Sequence, residues 1–135
     1  MQRLFYTCTL FFLLFAIGCG GNVIITGTVT MADDTAIERG VVFFDCESAS
    51  AQYSADIIKG TFSPGIMRDG TGIPPGVYRI SVGGINREIP SPNPGEHTWT
   101  VSRIHSRYAS PATSGLTIDT SQTRTIDLVL EPAEE

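Results

Sequence analysis

Few side chains in this 135-residue chain have the type and spacing to do chemistry. The inventory is three cysteines (Cys8, Cys19, Cys46), two histidines (His97, His105) and a single lysine, Lys59. His97 and His105 stand eight positions apart, with no Cys-x-x-Cys or His-x-x-x-His pattern beside them. A zinc site takes three or four ligands, so no metal is expected. Asp33-Asp34 lacks the alternating oxygen ligands and turn glycine of a calcium loop and reads as a turn. Cys46 falls on the inward phase of a predicted strand. Apolar surroundings there would raise the thiol pKa and leave an inert small hydrophobe. No Gly-x-Ser-x-Gly elbow is present, and no glycine-rich phosphate loop opens a helix. Neither a catalytic residue nor a cofactor is expected.

Binding chemistry is concentrated in one region. Residues 83–114 contain Pro90, Pro92, Pro94 and Pro111, both histidines, and the only tryptophan, Trp99. A connection of that length in a small domain is usually functional or disordered. Part of it, residues 98–102, alternates as a strand with Trp99 and Val101 on one face. Two readings compete for the aromatics. In one, Trp99 and Tyr108 pin the loop to the domain, since large aromatics dominate packing energy. In the other they form an exposed platform for sugar or peptide, with Arg87, Arg103 and Arg107 adding polar contacts. The candidate ligand-binding residues are Trp99, Tyr108, Arg103 and Arg107. The platform requires Trp99 and Tyr108 to be exposed together. A small hydrolase would instead need His97 or His105 beside Ser or Asp in a cleft.

The elements that must position these residues follow from composition and periodicity. Hydrophobic residues are 41% and charged residues 17%, a globular balance. The 14 Gly and 8 Pro favour short elements joined by turns. Acidic residues (14) exceed basic ones (9), so the basic footprint of a nucleic-acid binder is missing. One domain is expected.

The amino terminus reads as an address. After Met1-Gln2-Arg3, an apolar stretch runs over residues 4–17 to Gly18-Cys19. A membrane span needs about 20 apolar residues. This shorter run, behind a basic start, fits the middle region of a secretory signal. Ala16-Ile17-Gly18-Cys19 resembles the lipobox of bacterial lipoproteins, with Ala16 where that pattern usually has Leu. The resemblance implies cleavage before Cys19 and lipid on its sulfur and new amino group, since stable anchoring takes more than one acyl chain. Gly20 is not the Asp that marks inner-membrane retention in some bacteria. The expected location is therefore the cell membrane or outer membrane, facing the periplasm or exterior. The boundaries read as signal peptide 1–18, lipidated Cys19 with tether 19–22, domain 23–131 and a frayed acidic tail 132–135. Cleavage removes Cys8 and lipid consumes Cys19, which leaves Cys46 as the one free thiol.

The remainder alternates with period two. Ile25, Gly27, Val29 and Met31 share one face of a first strand. Val42, Phe44 and Cys46 point inward on a second, with Val41, Phe43 and Asp45 outward. Tyr53, Ala55 and Ile57 point inward on a third. Residues 70–76 form a Gly/Pro turn. Beyond it, Tyr78, Ile80 and Val82 point inward, Arg79 and Ser81 outward. Leu116 and Ile118, then Ile126, Leu128 and Leu130, complete the core faces. About seven antiparallel strands without an amphipathic helix make an all-β sandwich.

The blocks Ile25-Thr26-Gly27-Thr28-Val29-Thr30, Glu38-Arg39-Gly40-Val41-Val42-Phe43-Phe44 and Gly72-Ile73-Pro74-Pro75-Gly76-Val77-Tyr78-Arg79-Ile80 resemble the carboxypeptidase regulatory-like family. The segment Arg107-Tyr108-Ala109-Ser110-Pro111-Ala112-Thr113-Ser114-Gly115-Leu116-Thr117 is similar to one in small planctomycete-type lipoproteins carrying that domain. The resemblance implies a prealbumin-like (transthyretin-like, Ig-like) sandwich in an extracytoplasmic setting, and no reaction. The Tyr-Arg-Gly-Ser ending of transthyretin-related hydrolases is absent: the chain ends Leu130-Glu131-Pro132-Ala133-Glu134-Glu135. An isopeptide staple of the collagen-adhesin type has no amine to use, because Lys59 lies in a mid-chain turn. The expectation is a membrane-anchored, non-enzymatic structural or interaction module. Its partners are the membrane, through Cys19, and a protein or carbohydrate.

Overall fold

The fold is described from a computed structural model over residues 21–65 and 70–134. The signal segment, Cys19 and Gly20 lie outside the described residues. The chain is nearly all β. In order, the strands are β1 (Thr26–Met31), β2 (Arg39–Cys46), β3 (Gln52–Ile58), β4 (Thr61–Phe62), β5 (Val77–Gly83), β6 (Asn86–Ile89), β7 (Trp99–Ser102), β8 (Leu116–Asp119) and β9 (Thr125–Leu130). A single 3₁₀ turn, η1 (Ser106–Ala109), is the only helical piece among the described residues.

Seven strands form one sheet in the order β8-β5-β2-β3-β4-β1-β9, and β6-β7 form a separate ribbon. The sheet is narrow at the β3–β4 junction, where Ile58 pairs with Thr61 and Ser54 bridges Gly65 just beyond β4. It folds over there, and the inner faces of both halves meet in one core. Ile25, Val29 and Met31 of β1 join Val42 and Phe44 of β2, Ile80 of β5 and Leu128 of β9 in a single buried cluster. The Phe44 ring lies 6.1 Å from that of Phe62 on β4 and 6.3 Å from Tyr78 on β5. This is sandwich-like packing, with alternate residues of each strand inward. The expected phases of β1, β2 and β3 match the burial pattern.

Three features differ from the expectation. The sheet is mixed, because β1 and β9 pair in parallel over their whole length, Thr26↔Thr125 to Met31↔Leu130. The chain leaves β8 through a turn at residues 119–124 and crosses to the opposite layer, so it arrives alongside β1 in the same direction. Ser81, expected to face water, is buried on β5, against which η1 packs. The carboxyl-terminal tail does not fray: the Ala133 N–H donates to the Arg103 carbonyl at 3.0 Å, and Pro132 bridges Ile104.

The Gly-Ile-Pro-Pro-Gly block closes one end of the molecule. Val23 and Ile73 exchange both backbone hydrogen bonds, at 2.8 and 3.0 Å. Gly72 sits at φ +91°, and a Cβ there would come within 2.6 Å of the Val23 carbonyl oxygen, so the approach requires glycine. The Tyr78 hydroxyl donates to the Pro74 carbonyl at 2.6 Å, and burial pushes its pKa up to about 12. The Gly76 N–H donates to the buried Thr120 hydroxyl at 3.0 Å.

Strand direction then sorts the molecule into two ends. Val23, the β2–β3 turn, the start of β5 and the β8–β9 turn lie at the end where the chain enters the domain. The β1–β2 turn, the end of β5, the β6–β7 ribbon and the end of β9 lie at the other. The segment carrying the candidate binding residues therefore emerges at the end opposite the amino-terminal entry.

Candidate functional site

Residues 83–114 are ordered as a hairpin followed by η1. The chain leaves β5 through Gly83-Gly84, with Gly84 at φ +72°, and Ile85 buries itself beside Gly40. From that foothold β6 and β7 project as a two-stranded ribbon. Asn86 pairs with Ser102, Arg87 with Val101, Glu88 with Thr100 and Ile89 with Trp99. Pro90, Pro92 and Pro94 follow β6; without N–H donors they cannot extend the ladder. A Ser91 hydroxyl bond to Glu96 at 2.9 Å and Gly95 at φ +89° close the turn.

The period of two sets what each ribbon face carries. Arg87, Ile89, Trp99 and Val101 share one face, and Asn86, Glu88, Thr100 and Ser102 the other. Near the base Val101 is half-buried. Toward the tip the first face has nothing to cover it: Trp99 is 63% exposed and its cross-strand partner Ile89 38%.

At the base, a cavity of about 210 Å³ opens between the ribbon, the β1–β2 turn and the tail. Arg87, Ser102 and Arg103 line one wall, Asp33 and Thr35 the second, and Ala133 and Glu134 the third. Asp33 accepts the Thr35 N–H at 3.0 Å, and bonding to Thr35 holds its carboxyl below the usual carboxylate range, with the Arg103 charge adding to the effect. Glu134 receives His105 Nε2 at 3.0 Å.

The predicted residues divide at this point. Trp99 is exposed and Arg103 lines the cavity, half-buried. Tyr108 is a correction to the platform reading: it is 1% exposed and belongs to the core. Its hydroxyl accepts the Glu131 N–H at 3.1 Å and an Arg107 guanidinium N–H at 2.9 Å. Arg107 is likewise committed, with its guanidinium 4.9 Å above the Tyr108 ring and 3.2 Å from the Glu131 carboxylate. The aromatic pair splits its roles, so Tyr108 pins the segment and Trp99 does not. The reason is local: η1 turns Tyr108 back toward β5 and β9, while Trp99 sits four residues up a free ribbon. His105 Nδ1 accepts the Arg107 N–H as the cap of η1, so both its ring nitrogens hold structure. His97 is exposed in the hairpin connection. Among the described residues no three His, Cys, Asp or Glu side chains gather as metal ligands.

Comparison with known proteins adds no name to this geometry: no family model, curated protein or solved structure matches the chain. Arg87, Asp33, Thr35 and Glu134 escape sequence reasoning as a group, because they come from the β1–β2 turn, the ribbon and the tail. The only local signal for β6 is weak: Ile85 and Ile89 share a phase, but Arg87 interrupts it.

Cys46 corrects a second expectation. It lies on the inward phase of β2 but at the last residue of the strand, and its thiol is half-exposed. The Ser48 hydroxyl lies 3.5 Å from the sulfur, and bonding from Ser48 lowers the thiol pKa below its ordinary value. We expect iodoacetamide to modify Cys46 in the folded protein at a pH below that needed for a free thiol. Ser48→Ala should move the pH midpoint of the reaction upward. A Cys46 that reacts only after unfolding would contradict the exposed geometry.

Proposed function

We propose that the protein is a membrane-anchored extracytoplasmic lipoprotein whose domain, of carboxypeptidase regulatory-like type, acts as a non-enzymatic structural or interaction module. The observation that carries this reading is the opposition of the two ends. A chain held by lipid on Cys19 has only Gly20, Gly21 and Asn22 before Val23 pairs with Ile73. Three residues reach about 10 Å. The entry end then rests close to the bilayer, and the ribbon with Trp99 and the arginine-lined cavity faces outward.

The absence of a reacting constellation in the sequence supports a binding role over an enzymatic one. Both His105 nitrogens already hold structure. The runner-up, a carbohydrate- or peptide-binding module using residues 83–114, is the same reading with a ligand attached, and exposed Trp99 favours it.

The test is Cys19→Ala in cells. The substituted precursor is expected to stay uncleaved and to incorporate no labelled fatty acid. A Cys19→Ala protein that is cleaved and takes up fatty acid like the parent would end the anchoring proposal.

A further inference from the structure

We infer that the ribbon end binds an acidic oligosaccharide, with a uronic-acid carboxylate at Arg87 and Arg103 and a neighbouring ring on Trp99. This inference rests on the reading of the domain as an interaction module. Three observations converge on it.

The first is the arginine pair. Arg87 and Arg103 line the same cavity, and neither guanidinium has a hydrogen bond or ion pair among the described residues. Arg79 and Arg107, by contrast, each hold a glutamate, at 2.9 and 3.2 Å. Asp33 shares the cavity and feels the Arg103 charge, but its carboxylate bonds Thr35 instead, so both guanidinium forks keep donors for a carboxylate from outside. The guanidinium fork matches a planar carboxylate, and charge-assisted pairs of this kind are among the strong hydrogen bonds.

The second is the acid opposite. Asp33 and Glu134 line the same cavity with the Thr35 and Ser102 side chains. A bare anion would meet those carboxylates with repulsion and bring no donor to offset it. A sugar acid brings both kinds of group. Its carboxylate suits the arginines, and its hydroxyls donate to Asp33 and Glu134, each of which already accepts one hydrogen bond and has oxygen lone pairs to spare.

The third is the aromatic. Trp99 and Ile89 form a flat apolar patch on the same ribbon face as Arg87, which stands two residues along β6 from Ile89. That step is roughly 7 Å. One monosaccharide does not bridge the patch and the cavity, whereas successive rings of one chain do, with the C–H face of a ring lying on the indole.

The experiment titrates the full chain, in detergent, with oligogalacturonate and oligoglucuronate, their neutral methyl esters, and poly-glutamate as the acidic-peptide control. Oligouronate is expected to bind, with affinity falling as salt rises. The methyl esters should bind about tenfold more weakly or worse, and poly-glutamate no better than the esters. Trp99→Ala and Arg87→Gln should each weaken oligouronate binding about tenfold. Both positions are exposed, so these variants should keep the parental melting temperature, and a shift in it would be visible separately. Cys19→Ala should leave binding unchanged, so the anchoring proposal and the ligand proposal fail independently. Absence of oligouronate binding, equal binding of poly-glutamate, or parental affinity in both ribbon variants would overturn the inference.

Discussion

Tyr108→Ala is expected to destabilise the protein by about 3–5 kcal/mol, the range for truncating a large buried aromatic. The side chain is all but inaccessible and ties three parts of the chain together. Its ring packs in the core, its face supports the Arg107 guanidinium, and its hydroxyl accepts the Glu131 N–H beyond the end of β9. Alanine leaves a cavity and a backbone donor without its acceptor. Tyr108→Phe separates the two costs. It keeps the ring and loses only the hydroxyl, for about 1–3 kcal/mol. Urea denaturation of the two variants reads both numbers. Hydrogen exchange of Tyr108→Ala should show residues 103–110 and the tail at 131–134 losing protection together, since the hydroxyl bond joins them. Parental stability in Tyr108→Ala would mean that the segment is held by something else. The same variant bears on function. A Tyr108 acting as a ligand platform would change binding and spare stability, the reverse of what its burial dictates.

Gly27→Ala is expected to cost about 3 kcal/mol, at the upper end of the range for overfilling a core. Gly27 lies opposite Phe62 in the β1–β4 ladder, and the ring lies across it. A Cβ at Gly27 would stand 2.2 Å from Phe62 Cζ, with both Cε atoms also within 2.7 Å. The methyl group would therefore occupy the ring's own space. Phe62 cannot swing clear without leaving the core, where it is buried with its ring 6.1 Å from that of Phe44. Since β4 also joins the two halves of the sheet, the disturbance falls where the sandwich folds over. Phe62→Leu should recover part of the loss when combined with Gly27→Ala, because the smaller side chain vacates that volume. A double-mutant cycle in denaturant is expected to give a coupling energy of about 1–3 kcal/mol. Strict additivity would show that the two residues do not share the space.

The distinction between what was legible in the chain and what was not can be drawn from these same residues. The inward phase of β1 places Gly27 beside Ile25 and Val29, and the alternation states this plainly. Why a glycine should interrupt a buried face is answered only by Phe62, thirty-five positions later. The alternation of β2 is also correct as far as Cys46. It fails as a guide to the thiol's surroundings because a strand's last residue keeps its phase while losing its cover. Trp99 and Tyr108 were grouped by residue type, and type carries no information on burial. The register of the ribbon exposes one, and the turn of η1 buries the other.

The sequence by itself determined the all-β class, most of the strands, their buried faces and the turn at residues 70–76, because period-two alternation and Gly/Pro chemistry are local. It also contains the amino-terminal pattern on which the anchoring proposal stands. Tertiary structure alone decided that β9 runs parallel to β1, that the tail is held, and that Arg87, Arg103, Asp33 and Glu134 face one cavity at the end away from Val23. These facts depend on strand order and on which loops share an end. Such long-range pairings arise from the burial of a shared core, and no window of neighbouring residues records them.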